Sequence, residues 1–256
     1  MAGLLRHVER WYSIPLLLLV WQAAVSSGLV ESRLLPGLGR VAAALIRDTG
    51  NGVLPYHTAI TLARAAAGFA LAALAGVPFA AAMARSALIR DVFEPIFFFG
   101  YPVPKIALFP VFTYVFGIGS PSKIAFAFLE CLYPIVVTAY LGFRAIPVRL
   151  VWSAENMGAP RRTIIARVIV PAAMPGIFSG LRIALPIAII VIVLTEMIGD
   201  SRGLGYYIAI SGTRFEFANV YAAILVIGAC GFVLDRSLLR LRRAIVHWER
   251  DAEATR

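Results

Sequence analysis

Residues 153–171, SAENMGAPRRTIIARVIVP, are basic and only about half apolar, yet they lie between some of the most hydrophobic segments of the chain. Those segments set the class of protein. Of 256 residues, 60% are hydrophobic and 15% charged, whereas a soluble globular domain is about half apolar and about a quarter charged. The composition is that of an all-α integral membrane protein. A helix needs about 20 residues to cross the hydrocarbon layer, and six segments qualify: about 12–30, 57–84, 92–116, 122–143, 177–199 and 219–238. The basic stretch is then part of the loop between spans four and five.

The first apolar run, SIPLLLLVWQAAVSSGLV, follows Arg6 and Arg10. It is long for a secretory leader, lacks an A-x-A site and precedes further spans, so it reads as an uncleaved helix. Lys and Arg collect in alternate loops. One set holds Arg6, Arg10, Arg85, Arg90, Arg144, Arg149, Arg161, Arg162 and Arg167, joined by Arg236, Arg240, Arg242, Arg243, Arg250 and Arg256 near the end. The other holds Arg33, Arg40, Arg47, Lys123, Arg202 and Arg214, partly offset by Glu31, Asp48, Asp200 and Glu216. Positive charge stays on the cytoplasmic side, which predicts both termini there. The same asymmetry accounts for the net charge of +10 without nucleic acid, because the arginines border spans and are not interleaved with stacking aromatics.

Cys131 and Cys230 fall inside apolar spans, where a thiol behaves as a small hydrophobe. His7, His57 and His247 are scattered, and neither a metal-ligand spacing, a G-x-S-x-G elbow nor a G-x-x-x-x-G-K-[ST] loop occurs. An ATP-driven process would need its hydrolysis on another chain.

In the loop itself Pro147 suits a first helical position and Gly158 a helix end, so PVRLVWSAENMG reads as a short helix and a turn. A second helix begins near Pro160, with Ile164, Ile165, Val168 and Ile169 as its apolar stripe and Thr163, Ala166 and Arg167 opposite; Pro171 and Pro175 are expected to stop it before span five. Such a pair is either an interfacial anchor or a docking element for a partner. Elsewhere, Gly68, Ala72 and Gly76 recur every fourth residue in span two and permit close helix contact. Span three is interrupted by Pro95, Pro102, Pro104 and Pro110 and carries Lys105 near its middle. A broken backbone and a cation at membrane depth face protein or water. Glu94, Glu130 and Glu196 are the acidic residues in or near spans, so Lys105 either pairs with Glu130 or Glu196 or meets an anionic substrate.

The loop resembles the EAA signature of ABC-importer permeases, an E-A-A-x-x-x-G motif, apolar helix and Leu-Pro-like end matched by Ser153, Ala154, Gly158, Ala159, Val170 and Pro171. The likeness runs over about residues 55–212 through HTAITLARAAAGFALAALAGVPFA, YPVPKIALFPVFTYVFGIGSPSKI, PAAMPGIFSGLRIAL and TEMIGDSRGLGYYI, and points to the nitrate, sulfonate, taurine and bicarbonate branch. Trp152 stands where the family has its glutamate, and Glu155 is displaced from it by three residues. The resemblance implies a single type I importer permease domain in a bacterial inner membrane: residues 1–54 as first helix and outer loop, 55–240 as core bundle with a coupling loop at 144–176, and 241–256 as a cytoplasmic tail. It also implies a second permease copy, two ATPase subunits holding ATP and Mg, and an extracytoplasmic binding protein; DSRGLGYYIAISGTRFEF, glycine-rich and on the outer side, reads either as a receiver for that protein or as an ordinary connector. In this picture Trp152, Ser153, Ala154, Glu155, Gly158, Ala159, Arg161, Arg162 and Pro171 serve ATPase coupling. Pro102, Pro104, Lys105, Glu130 and Glu196 line the pathway of a small organic or inorganic anion. A self-sufficient channel or ion-coupled carrier is the other class that an apolar chain with membrane-embedded charges supports.

Overall fold

The computed structural model describes residues 12–28, 31, 34–100 and 102–248. Arg6, Arg10, Arg33, Arg250 and Arg256 of the charge count lie outside them. In chain order the α-helices are α1 (Ser13–Ser26), α2 (Leu38–Gly50), α3 (Val53–Arg85), α4 (Ala87–Gly100), α5 (Phe109–Phe116), α6 (Ser120–Arg144), α7 (Val148–Asn156), α8 (Arg161–Met197), α9 (Leu204–Thr213) and α10 (Phe217–Ile245). Four of these, α3, α6, α8 and α10, are long and apolar enough to cross a membrane.

Two expected spans come out differently. Of the first, the described residues form a helix of 14 residues, where a bilayer requires roughly 20. The third is two helices: α4 meets the segment Lys105–Phe116 at 100°, and a 3₁₀ turn at Lys105–Leu108 leads into α5. Pro102 and Pro104 supply the reason, since each lacks an amide donor and biases its predecessor away from helical backbone.

The second loop helix also departs from expectation, because Pro171 and Pro175 do not stop it. Residues Ile165–Ile169 form a π turn, in which Val170 N–H reaches back to Ile165 O. That wider turn loosens the backbone just where Pro171 has no amide to offer, and the helix continues to Met197. The stripe is largely as expected: Ile164 is buried, Ile165, Val168 and Ile169 are half-buried, and Ala166 and Arg167 face out, but Thr163, expected opposite the stripe, is half-buried as well.

The core is the trio α3, α6 and α8, filled by Ala72, Phe126, Ala127, Cys131, Ile135 and Ile192. Glycines set its spacing. Added to Gly68, a Cβ would lie 2.7 Å from the Ala127 Cβ; added to Gly180, it would lie 2.0 Å from Thr138 Oγ1 and 3.1 Å from the Ile135 Cα. At the end of the trio away from α7, α2, α9 and α10 pack over it through Leu54, Leu204, Tyr207 and Ala223 and through Val41, Ala44 and Ala222. A Gly180→Val substitution should therefore destabilise by about 1–3 kcal/mol or more through forced separation of α6 and α8. Gly228→Ala, where nothing lies within 4 Å, should hold or slightly raise stability. Thermal unfolding of the two variants in detergent checks this, and equal midpoints would contradict the packing scheme.

Candidate functional site

The loop after α6 is a rigid corner. Pro147 caps α7 from just outside it rather than beginning it. At the other end Gly158 has φ +74, its N–H bonds Glu155 O at 2.9 Å and Ala159 N–H bonds Ala154 O at 3.1 Å. These two bonds make a Schellman motif, which favours a glycine at the left-handed position. Ala154 is buried and anchors α7, while Trp152 is 57% and Met157 80% exposed on the outside of the corner. Ser153, Glu155, Arg161 and Arg162 are exposed, and Ala159 and Pro171 half-buried. An exposed tryptophan on a braced helix presents apolar area at little conformational cost.

Lys105 lies at the break between α4 and α5, beside the exposed Pro102 and Pro104. Its Nζ is 3.6 Å from Glu130 Oε2, within 3.5 Å of the carbonyls of Gly100 and Val103, and 4.5 Å from the Tyr133 ring centre. Of the two partners that the sequence leaves open, the structure brings Glu130 to it. The ammonium thus also satisfies a carbonyl that the end of α4 leaves without a helical donor.

Glu196 belongs to a separate buried cluster at the far end of α8. Its Oε1 accepts from Arg64 Nη1 at 2.8 Å, and its Oε2 from the Thr61 hydroxyl at 2.8 Å and Gly205 N–H at 3.0 Å. Arg64 Nη1 is also 2.8 Å from Asp200 Oδ2, which Lys123 Nζ approaches at 3.1 Å. Arg64 Nε donates to Ser120 Oγ at 2.9 Å. Two cations and two carboxylates are thereby balanced. The glycines of GDSRGLGYY make room: a Cβ on Gly203, whose φ is +104, would lie 2.1 Å from the Glu196 carboxyl carbon, and one on Gly205 2.0 Å from Val193 O. Burial raises the Asp200 carboxyl, but Ser201 N–H, Lys123 and Arg64 together outweigh it and hold it below its ordinary range. On α2, the neighbouring Arg47 holds Asp48 low in the same way.

Reading Lys105 and the glutamates overlooked Arg64, Lys123 and Asp200 here, and Arg182 with Asp235 between α8 and α10. The available signal was the placement of Arg64 and Arg182 within strongly apolar runs.

Long membrane helices around a glycine-spaced trio, a braced corner outside the bundle and ion pairs within it define a polytopic membrane protein. The chain belongs to the family described as binding-protein-dependent transport system inner membrane component, which it matches over residues 68–247. It is 30% identical over 246 residues to the taurine transport system permease protein TauC of Escherichia coli strain K12, covering 94% of this chain and 90% of that protein. The putative aliphatic sulfonates transport permease protein SsuC of Bacillus subtilis strain 168 is 28% identical, with 91% of this chain and 85% of that protein covered. For the formylaminopyrimidine transport permease protein ThiX of Halalkalibacterium halodurans the values are 28%, 92% and 93%. Among solved structures, the inward-facing MetNI methionine ABC transporter superposes with a TM-score of 0.63 at 19% identity, over 72% of this chain and 92% of that one. The fold is therefore that of an ABC-importer permease.

Arg64→Met, which leaves the buried Glu196 without its cation while Asp200 keeps Lys123, should cost about 3–5 kcal/mol. Arg90→Met, at an exposed pair with Asp91, should cost less than about 1 kcal/mol. Thermal unfolding in detergent distinguishes the two, and a mild Arg64 variant would remove the cluster from the fold's essential contacts. Because the folded-state pKa values of Asp48 and Asp200 are lowered, the stability they contribute is present above the ordinary carboxylate range and lost as pH falls below that range through their folded-state values.

Proposed function

We propose that this chain forms half of the pathway of an ATP-driven importer in a bacterial inner membrane and passes a small anion such as a sulfonate, nitrate or carboxylate. A second permease copy completes the pathway. Two ATPase subunits bind ATP and Mg on the side of the arginine-rich loops and the basic end of α10, and a binding protein delivers solute to the face built from α2 and α9. The names of the taurine and aliphatic-sulfonate relatives support the anion, while the formylaminopyrimidine relative marks how far cargo diverges within the family.

One observation carries the coupling role: α8 is continuous from Arg161 to Met197, about 55 Å at 1.5 Å per residue. It joins the corner at Gly158 to the Arg64–Glu196 cluster. Movement imposed on the corner by a closing ATPase dimer reaches the opposite end of the bundle along a single helix, which is a population shift transmitted through one element. Trp152 and Met157 fill an apolar cleft of the ATPase, Ser153 and Ala154 seat the helix, and Gly158 with Ala159 forms the bend. Glu155, Arg161 and Arg162 meet charged groups around that cleft. The two arginines stand at the first turn of α8, where the helix dipole is already positive, so acidic groups on the partner relieve an unfavourable placement. Pro171 marks the base of the membrane part. Pro102, Pro104, Lys105 and Glu130 border the passage at the broken span, and Glu196 fixes its outer end.

The test is reconstitution with the ATPase and binding protein. The purified chain alone should hydrolyse no ATP, and the complex should contain two permease and two ATPase copies by mass. Gly158→Val strains only the left-handed turn, by about 1–2 kcal/mol, so the complex should assemble while uptake collapses. Wild-type uptake by that variant would show that the corner is not the coupling element.

Lys105→Met keeps the side-chain length and removes the charge. It should lower uptake of an anionic solute while assembly is retained. Failure to assemble, rescued by adding Glu130→Gln, would instead make the pair purely structural.

A further inference from the structure

The outward faces of α3, α8 and α10 enclose an apolar trough of about 470 Å³, walled by Ala66, Ala70, Leu185, Ile189, Leu238 and Leu241. Ser237 alone among its lining residues carries a polar side chain, and that hydroxyl donates to Val233 O at 2.8 Å within its own helix. Interiors of this kind are close-packed, and a trough on membrane-spanning helices is filled by something apolar. Its end is not apolar. Arg182 precedes Leu185 by three residues and Ile189 by seven, a spacing that places it on the same face of α8, one turn beyond the trough.

The Arg182 side chain is 50% exposed. Its Nε and Nη2 donate to the two oxygens of Asp235 at 2.9 and 3.4 Å, which leaves the Nη1 donors outside that pair. Along α10, Arg236 and Arg240 are exposed, and Arg240 lies three residues from Ser237, beside the trough wall. Arg236 instead lies over the Phe232 ring, and with Arg182 balanced by Asp235 the unmatched charge beside the trough is that of Arg240. An apolar channel closed by surplus guanidinium charge complements an anionic amphiphile of the bilayer.

We propose that the trough holds an acyl chain of an anionic phospholipid whose phosphate is taken by Arg182 and Arg240. The site is independent of the solute pathway, and neither the family nor the coupling loop requires it. Asp235 orients Arg182 by occupying one edge of its guanidinium, and Arg240 supplies the unmatched charge that discriminates among headgroups.

The experiment is native mass spectrometry of the detergent-purified importer complex after addition of phosphatidylglycerol or phosphatidylcholine. Wild type should retain phosphatidylglycerol about fivefold more than phosphatidylcholine, given roughly 1 kcal/mol for the one unmatched basic residue near an anionic lipid. Arg240→Gln, an exposed change that leaves the apolar packing alone, should reduce phosphatidylglycerol retention to the phosphatidylcholine level. Ala70→Trp should fill the trough and abolish retention of both. Equal retention of the two lipids by wild type, or no change with Arg240→Gln, would overturn the proposal. So would disulfide-linked permease dimers formed by Ala70→Cys, because the trough would then be covered by a second copy.

Discussion

Where α6 crosses α8, a methyl group on Gly142 would lie 3.0 Å from the Cα of Gly176, and one on Gly176 would lie 2.6 Å from the Cα of Gly142. Only backbones without side chains come this near. In a bilayer the lipid tails are as apolar as leucine, so helices are held by van der Waals contact and by interhelical polar bonds rather than by escape from water. The α6–α8 crossing supplies the first of these. It fixes the spacing at which Gly180 meets Thr138, and α3 then closes on the same helix through Gly68 and Gly76.

With the trio held at that distance, the ionised groups at its far end become intelligible. Glu196 is fully buried and receives donors from α3 and from α9, so the carboxylate ties both to the end of α8. Lys105 has a comparable place in the broken span, where it binds carbonyls left open by the chain's change of direction and a carboxylate on α6. The two charged sites differ in tightness: the Arg64–Glu196 contact is 2.8 Å and the Lys105–Glu130 contact 3.6 Å. The first belongs to a sealed joint, and the second to a looser one at an interrupted helix.

Much of this was legible in the residues alone, for identifiable reasons. Runs of about 20 apolar residues mark the long helices whatever they pack against, and the proline cluster at 102–104 marks irregular backbone. Gly158 signals its turn because few other residues accept that conformation. What escaped depends on the folded backbone or on distant pairing. Pro171 and Pro175 look like helix stops, and only the π turn before them shows how the helix passes through. Lys105 had two carboxylates within plausible reach, and its choice of Glu130 follows from the 100° bend, which no local pattern encodes. The short helices α2 and α9 lie in what reads as outer loop, since Val41, Ala44 and Tyr207 are buried by packing among elements far apart in sequence.

The π turn at Ile165–Ile169 has one more consequence. Along α8, Ile164, Ala173 and Ile177 are buried, and Ile165, Val168, Ile169 and Val170 between them are half-buried. A π turn spends one more residue than an α turn, so the amide that Pro171 lacks falls where the hydrogen-bond ladder is already widened. The helix consequently passes the proline by widening one turn instead of breaking, and its backbone runs on from Arg161 to Glu196.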